Sequence, residues 1–136
     1  MKQVNFTIKK ETWANPARIY QCLSEAPLLE RWWKKPVSGS GLQGDRIVFH
    51  SSNGGDGLAV RVQGSDVSSV KWLVTSDMLY QGKLFDCLIE FELKPFSQSG
   101  CELTLIVSNV KNGTTTDQLR QEWEKIITAI AKEAEE

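Results

Sequence analysis

The sequence contains few of the residues that metal sites, disulfide frameworks and imidazole chemistry require. Among its 136 residues are three cysteines, Cys22, Cys87 and Cys101, and one histidine, His50. The cysteine count is odd and no two cysteines have C-x-x-C spacing, so neither a disulfide framework nor a zinc site is expected. We therefore predict no metal and no cofactor.

Charge of one sign and long apolar runs are also missing. Sixteen basic residues stand against seventeen acidic ones, a formal net charge of −1, which excludes the strongly basic surface of a dedicated nucleic-acid-binding domain. No apolar run approaches the roughly 18 residues that a membrane span needs. Residues 1–7 alternate polar and apolar, unlike a signal peptide. We expect a cytoplasmic protein with no nucleic-acid partner and no membrane span.

Aromatic residues, in contrast, are spread over the whole length. Five Trp, five Phe and two Tyr accompany a hydrophobic content of 40%, which argues against a disordered chain. A mass of 15.3 kDa fits one domain with one sizeable core. We predict a single domain over residues 1–136.

Hydrophobic periodicity predicts a strand, two short helices, five strands and one long helix, in that order. Alternation over residues 4–8 indicates the first strand. Asn15-Pro16 is typical of a helix start, and Pro27 opens a second helix that is closed by Pro36 and a turn over Ser38–Gly41. The later strands are expected near 45–51, 58–64, 69–75, 84–94 and 101–109.

The last two strands each have one apolar and one polar face, which predicts an antiparallel sheet covered on one side only. In the 84–94 strand the inward side chains are Phe85, Cys87, Ile89, Phe91 and Leu93. The cover is the C-terminal helix, which has a capping box over Thr115–Gln118. Its apolar stripe is Leu119, Trp123, Ile126, Ile127, Ile130 and Ala134. The fold class is α+β.

Two motifs have structural explanations that outweigh functional ones. Residues Gly39–Gly44 match G-x-G-x-x-G, but a helix precedes them and a strand follows, the reverse of a nucleotide-binding loop. They are interpreted as a turn.

Residues Arg31–Lys35 mix two tryptophans with cations, as single-stranded nucleic-acid platforms do. Without a wider basic stripe, the edge of a buried helix is favoured.

The candidates for chemistry are few. His50 is expected on the wet face or at a strand end; no Cys, Ser or carboxylate nearby in sequence is placed to orient it, and a distant partner stays open. A hairpin loop over 94–100 would place the inward Cys87 and Cys101 roughly 20 Å apart, so both are interpreted as buried inert thiols. No inward acid–base pair is found and no catalytic residue is assigned. If the chain were an enzyme, His50 or Tyr80 would face inward beside a charged group.

Four segments, in this order and spacing, resemble the START-like, birch-pollen-allergen-like superfamily: Asn15–Leu23, Ala26–Trp33, the paired strands Cys87–Pro95 and Cys101–Leu105, and Trp123–Ile130. The branch that they resemble most is the homologues of the activator of the heat-shock-protein-90 ATPase. The resemblance implies the helix-grip fold. In this fold a curved antiparallel sheet, here of about six strands, wraps around a long C-terminal helix, and a cavity lies between the sheet and the helix. The chain departs from the family at Glu122, where glycine is frequent, and in short Gly/Ser-rich middle strands that imply a smaller cavity.

The resemblance implies a carrier of hydrophobic molecules more readily than a reaction. The leading hypothesis is non-enzymatic binding of a small hydrophobic or amphipathic ligand between sheet and helix. The expected cavity residues are Phe49, Val62, Trp72, Phe85, Cys87, Leu119, Trp123 and Ile127. These side chains could instead fill the core completely.

Two other classes of function stay open. A chaperone-activator-like protein-interaction module is suggested by Arg31–Lys35 together with the acidic residues Glu133, Glu135 and Glu136. The third is a cyclase- or hydrolase-like enzyme of the same superfamily, although such members place polar residues in the cavity that this sequence largely lacks.

Overall fold

The computed structural model describes residues 4–97, 100–111 and 116–136. In chain order the elements are β1 (Val4–Thr12), α1 (Pro16–Ser24), α2 (Ala26–Trp33), β2 (Val37–Gly39), β3 (Arg46–His50), β4 (Asp56–Asp66), β5 (Ser69–Asp77), β6 (Leu88–Ser97), β7 (Gly100–Ser108) and α3 (Thr116–Ala134). The predicted order of helices and main strands is confirmed. The predicted capping box includes Thr115, which lies outside the described residues.

The strands form one antiparallel sheet in the order β1-β7-β6-β5-β4-β3-β2. From β2 to β7, each strand pairs with the next one along the chain. The first strand, β1, pairs with β7 and forms one edge of the sheet. One face of this sheet holds α3, and the other face carries the polar residues of the alternating strands. This arrangement is the helix-grip fold of the α+β class.

The strand β2 lies in the segment that was predicted to be only a turn. It adds a seventh strand to the expected six, pairing with β3 from Val37↔Phe49 to Gly39↔Ile47. Three residues are too few to produce a readable alternation, which explains why the strand was missed. The glycines of this segment do not support a nucleotide-binding loop, because they are needed for packing within the protein. A Cβ on Gly39 would lie 1.9 Å from the Arg46 carbonyl oxygen, and a Cβ on Gly41 would lie 2.3 Å from the Ser24 Cα. These glycines permit close backbone packing.

The strand predicted over 84–94 begins only at Leu88. Asp86 has a left-handed backbone conformation, with φ of 67°, which interrupts the extended chain. Phe85 is therefore 47% exposed, and the prediction that it faces inward is wrong. The hairpin is also tighter than the expected loop over 94–100, because β6 runs to Ser97 and Ser97 pairs with Gly100.

The core is one cluster of buried side chains between the sheet and the helices. Trp72, Trp123, Phe49 and Phe91 are among its largest fully buried members. Burying a large apolar side chain stabilises a fold by about 1.5–3 kcal/mol, so these four residues contribute strongly to the stability of the core. None of the helices in the described ranges is both long enough and apolar enough to cross a membrane.

Two acidic residues near the end of α3 anchor it to the rest of the fold. Glu133 is buried; its Oε2 lies 3.0 Å from Arg31 Nε and 3.9 Å from Arg18 Nη2. Glu135 Oε2 accepts hydrogen bonds from the Thr12 hydroxyl at 2.7 Å and from the Trp13 backbone N–H at 3.0 Å. The acidic residues considered for a docking surface are thus largely engaged within the chain.

The Glu135 anchor predicts a specific pH dependence of stability. The Thr12 hydroxyl and the Trp13 amide lower the pKa of Glu135 below its ordinary 4.5. The contribution of Glu135 to the free energy of unfolding is therefore fully present above about pH 4.5, and it is lost as the pH falls through the lowered pKa of the folded state. In chemical unfolding series from pH 7 to pH 3, the stability advantage of the native chain over Glu135→Gln should shrink toward acid. The same pH-dependent difference in the control Glu136→Gln would contradict this assignment.

Candidate functional site

Seven of the eight predicted cavity residues lie inside the core; Phe85 is the exception. The buried seven are Phe49, Val62, Trp72, Cys87, Leu119, Trp123 and Ile127. Phe49 packs against Trp72 with ring centroids 5.5 Å apart, and Trp72 packs against Phe91 at 4.9 Å. Aromatic rings are therefore in direct contact in the region where the ligand was expected.

An open groove of about 500 Å³ lies beside this core, where the end of α2 and the 78–87 loop approach α3. We call it the α2–α3 groove. Three chain segments form its walls: residues 32–35, residues 79–80, and one face of α3. The lining residues are Trp32, Trp33, Lys34, Lys35, Leu79, Tyr80, Gln118, Glu122, Lys125, Ile126 and Ala129.

The first wall is shaped by the way α2 ends. Lys34 adopts a left-handed conformation with φ of 66°, and its N–H donates to the Glu30 carbonyl at 2.7 Å. The two tryptophans before it then point in different directions. Trp32 is buried and its Nε1 donates to the Cys22 carbonyl at 2.7 Å, whereas Trp33 is half-buried and its Nε1 donates to the His50 carbonyl at 2.8 Å.

Trp33 connects the groove to the core. Its ring lies 5.3 Å from Phe49, centroid to centroid, in an edge-on arrangement. The Lys35 Nζ lies 4.3 Å from the centre of the Trp33 ring, a favourable cation–π distance. The expectation that the indoles of this segment pack inward while its cations stay near solvent is confirmed for Trp32 and Lys34.

The second wall is the 78–87 loop, which a buried carboxylate organises. Asp77 accepts hydrogen bonds from the Tyr80 backbone N–H at 2.7 Å and from the Leu84 backbone N–H at 2.9 Å. Burial first, and then the Glu122 and Asp77 carboxylates, raise the pKa of Tyr80 well above its ordinary value. Tyr80 therefore stays neutral at physiological pH and brings a hydroxyl to the groove.

The third wall is a stripe of α3 at helical spacing, with Gln118, Glu122, Lys125, Ile126 and Ala129 on one side of the helix. Lys125 Nζ lies 3.9 Å from Glu122 Oε1. Over the whole lining, three lysines stand against one glutamate. The groove is thus apolar with an excess of positive charge.

Sequence reasoning singled out the first wall and Tyr80 of the second, and it missed the third. The Arg31–Lys35 segment was singled out for its mixture of tryptophans and cations. The α3 stripe was missed, because it runs parallel to the core stripe and shares Ile126 with it. Two polar-apolar stripes side by side on one helix are the signal that could have found it.

His50 lies at the end of β3, and its side chain is on the outer face of the sheet. It was expected on the wet face or at a strand end. Its Nε2 lies 2.8 Å from Ser38 Oγ, and its Nδ1 lies 3.7 Å from Asp56 Oδ1. Its orienting partners come from the strands on either side.

The three cysteines are buried free thiols, and burial raises the pKa values of Cys22 and Cys87 to about 11, in keeping with inert thiols.

A model of one protein family matches residues 13–135, and its description is Activator of Hsp90 ATPase homolog 1-like protein. The match covers most of the chain. The protein belongs to the Activator of Hsp90 ATPase homolog 1-like family. The branch inferred from the sequence is thereby confirmed.

Solved structures place this family member among helix-grip proteins. The Aha1 dimer from Colwellia psychrerythraea superposes with a TM-score of 0.82 at 23% identity, covering 98% of this chain and 97% of that one. An HSP90 activator from Plasmodium falciparum gives 0.75 at 12% identity, covering 96% and 93%. Ara h 8.0201 gives 0.74 at 14% identity, covering 99% and 96%. At these identities the likeness shows a shared fold. No curated protein matches the sequence.

The Asp77 contacts predict a local loss of order when one acceptor is removed. Asp77→Asn keeps the shape but replaces one oxygen with an amide that cannot accept, which leaves the Tyr80 or Leu84 N–H unpaired. We expect a cost of about 1–3 kcal/mol in unfolding free energy and faster hydrogen exchange at these two amides. The control Asp66→Asn, at an exposed turn capped in the same way, should cost less. Equal costs would show that Asp77 has no special part in shaping the loop.

Proposed function

We propose that this protein binds, without chemical change, a small amphipathic molecule with an apolar body and an anionic group in the α2–α3 groove. The observation that carries the proposal is the groove itself. Its volume of about 500 Å³ lies in the range of roughly 300–1,000 Å³ that small-molecule sites occupy. The sequence hypothesis of a hydrophobic or amphipathic ligand is kept, and its site moves from the interior to the edge of the core.

The walls suit an apolar chain or ring system. Trp33, Leu79 and Ile126 present apolar surface, and Ala129 leaves room beside them. Trp33 is held by its bond to the His50 carbonyl, and Asp77 holds the loop that carries Leu79 and Tyr80. A preformed wall reduces the entropy lost on binding. The predicted cavity residue Phe49 supports this site from behind, through its contact with Trp33.

The charged groups favour an anionic end over a cationic one. Lys34, Lys35 and Lys125 outnumber Glu122 along the lining. An anion near these lysines gains Coulomb energy that added salt screens. The neutral Tyr80 hydroxyl and the Gln118 amide supply hydrogen-bond donors that fit a carboxylate or phosphate.

Blocking the groove tests its occupancy. Titration with dodecanoate, followed by calorimetry, should give saturable binding to the native chain. Ala129→Trp fills the groove and should weaken binding by roughly tenfold or more, about 1.4 kcal/mol. The control Gln121→Trp adds the same side chain at an exposed position of α3 and should bind as the native chain does. Equal affinities for both variants would place the ligand elsewhere.

Reversing one charge tests the anionic end. Lys125→Glu should weaken dodecanoate binding by roughly fivefold, about 1 kcal/mol for one charge pair near water, and should leave the affinity for dodecanol unchanged. Lys132→Glu, on the same helix but outside the lining, serves as the control. If both ligands lose affinity equally, the positive charge has no part in recognition.

A chaperone partner is the second candidate, favoured by the family to which the chain belongs. In the 78–87 loop, Met78 is 73% exposed and Phe85 is 47% exposed. Exposed apolar side chains of this size are frequent in protein interfaces. Binding of this chain to an Hsp90, measured by interferometry, should be lost in Met78→Ser/Phe85→Ser. Binding that the double variant leaves intact would assign the contact to another surface.

We also propose a cytoplasmic location. Three buried free thiols agree with a reducing compartment. Fractionation of cells that produce the chain in its natural host should recover it with cytoplasmic markers.

A further inference from the structure

Three polar side chains lie together on the outer face of the sheet, outside the lining of the groove. We propose that Ser38, His50 and Asp56 form a hydrolytic site for small esters, with Ser38 as nucleophile, His50 as general base and acid, and Asp56 as the group that orients His50. Its substrates would be small acyl esters, since the site lies open on the surface.

The sheet brings the three residues together from three neighbouring strands. Ser38 of β2 pairs with Val48 of β3, and His50 lies two residues further along β3, so both side chains share one face. Asp56 at the start of β4 is the register partner of His50. The arrangement therefore follows from strand pairing, and it depends on the short strand β2.

The distances fit the three roles. Ser38 Oγ lies 2.8 Å from His50 Nε2, a hydrogen bond. Asp56 Oδ1 lies 3.7 Å from His50 Nδ1, longer than a hydrogen bond, as catalytic contacts without substrate often are. A carboxylate beside Nδ1 favours the tautomer with its proton there, which leaves Nε2 to accept the Ser38 proton.

The His50 backbone is held on both sides while its ring stays accessible. Its N–H donates to the Pro36 carbonyl at 3.0 Å, and its carbonyl accepts from Trp33 Nε1 at 2.8 Å. The side chain is 20% exposed, and Ser38 is exposed. A substrate can therefore reach a nucleophile and a base that are already in contact.

The reaction balances with an ester and water as the reactants. Ser38 Oγ bonds to the carbonyl carbon as its proton passes to His50 Nε2. The carbon–oxygen bond to the alcohol then breaks, and His50 returns the proton to the leaving oxygen. Water attacks the acyl-Ser38 ester by the same route, releasing the carboxylic acid and restoring both side chains.

Covalent labelling tests the site directly. The native chain is treated with a fluorophosphonate, which forms a phosphorus–oxygen bond to an activated serine and releases fluoride, and the labelled peptide is identified by mass spectrometry. Label at Ser38, lost in His50→Gln and kept in the control Ser69→Ala, is the expected result. Label absent from Ser38, or unchanged in His50→Gln, overturns the proposal.

Turnover provides the second measurement. Hydrolysis of p-nitrophenyl acetate should fall at least a hundredfold in Ser38→Ala and in His50→Gln, since general base catalysis supplies roughly 10²–10⁴. Asp56→Asn should give an intermediate rate, and Ser69→Ala the native rate. Amide NMR spectra confirm that each variant is folded. A folded Ser38→Ala with the native rate would show that the Ser38–His50 bond only secures the edge strand.

Discussion

The Trp33 indole joins α2 to the sheet, and both proposed sites are built around this contact. Its N–H donates to the His50 carbonyl, and its ring packs on Phe49. On one side of this contact, the ring forms a wall of the α2–α3 groove. On the other side, the bond fixes the backbone of the residue that presents the imidazole to Ser38. A change at Trp33 is thus expected to affect both faces of β3.

Close packing of aromatic residues is one reason to place the proposed binding site at the edge of the core. Phe49 contacts Trp72, and Trp72 contacts Phe91. Trp123 of α3 is buried in the same core cluster. Protein interiors pack as densely as organic crystals, and these aromatic contacts occupy part of the space between sheet and helix. The open volume is found where α2 ends and the 78–87 loop turns, because neither segment extends far enough to cover α3.

Much of the fold could be predicted from the sequence, since its signals are local. Asn15-Pro16 begins α1, with the Asn15 side chain accepting from the Arg18 N–H, and the periodicity of α3 is strong over nineteen residues. The errors arose where local pattern and backbone conformation disagree. Phe85 continues the alternation of β6, yet the positive φ of Asp86 removes it from the strand.

The sites were harder to predict because each joins distant parts of the chain. The groove takes residues from segments centred near 33, 80 and 123, and no single pattern links them. Ser38 becomes visible as a partner of His50 only once β2 is known to be a strand. The predicted cavity and the observed groove differ because of where the loops lie in the folded chain, which the local helix and strand propensities do not determine.

The central claim is that ligand binds in the groove at Trp33 and leaves the aromatic core unchanged. The most direct test is a titration of ¹⁵N-labelled protein with dodecanoate, followed at the five tryptophan indole N–H signals. We expect saturable shifts at Trp33, no shifts at the buried Trp72 and Trp123, and none at Trp13, which is 75% exposed on another part of the surface. Shifts at Trp72 and Trp123 with Trp33 unmoved would contradict the account and return the site to the interior.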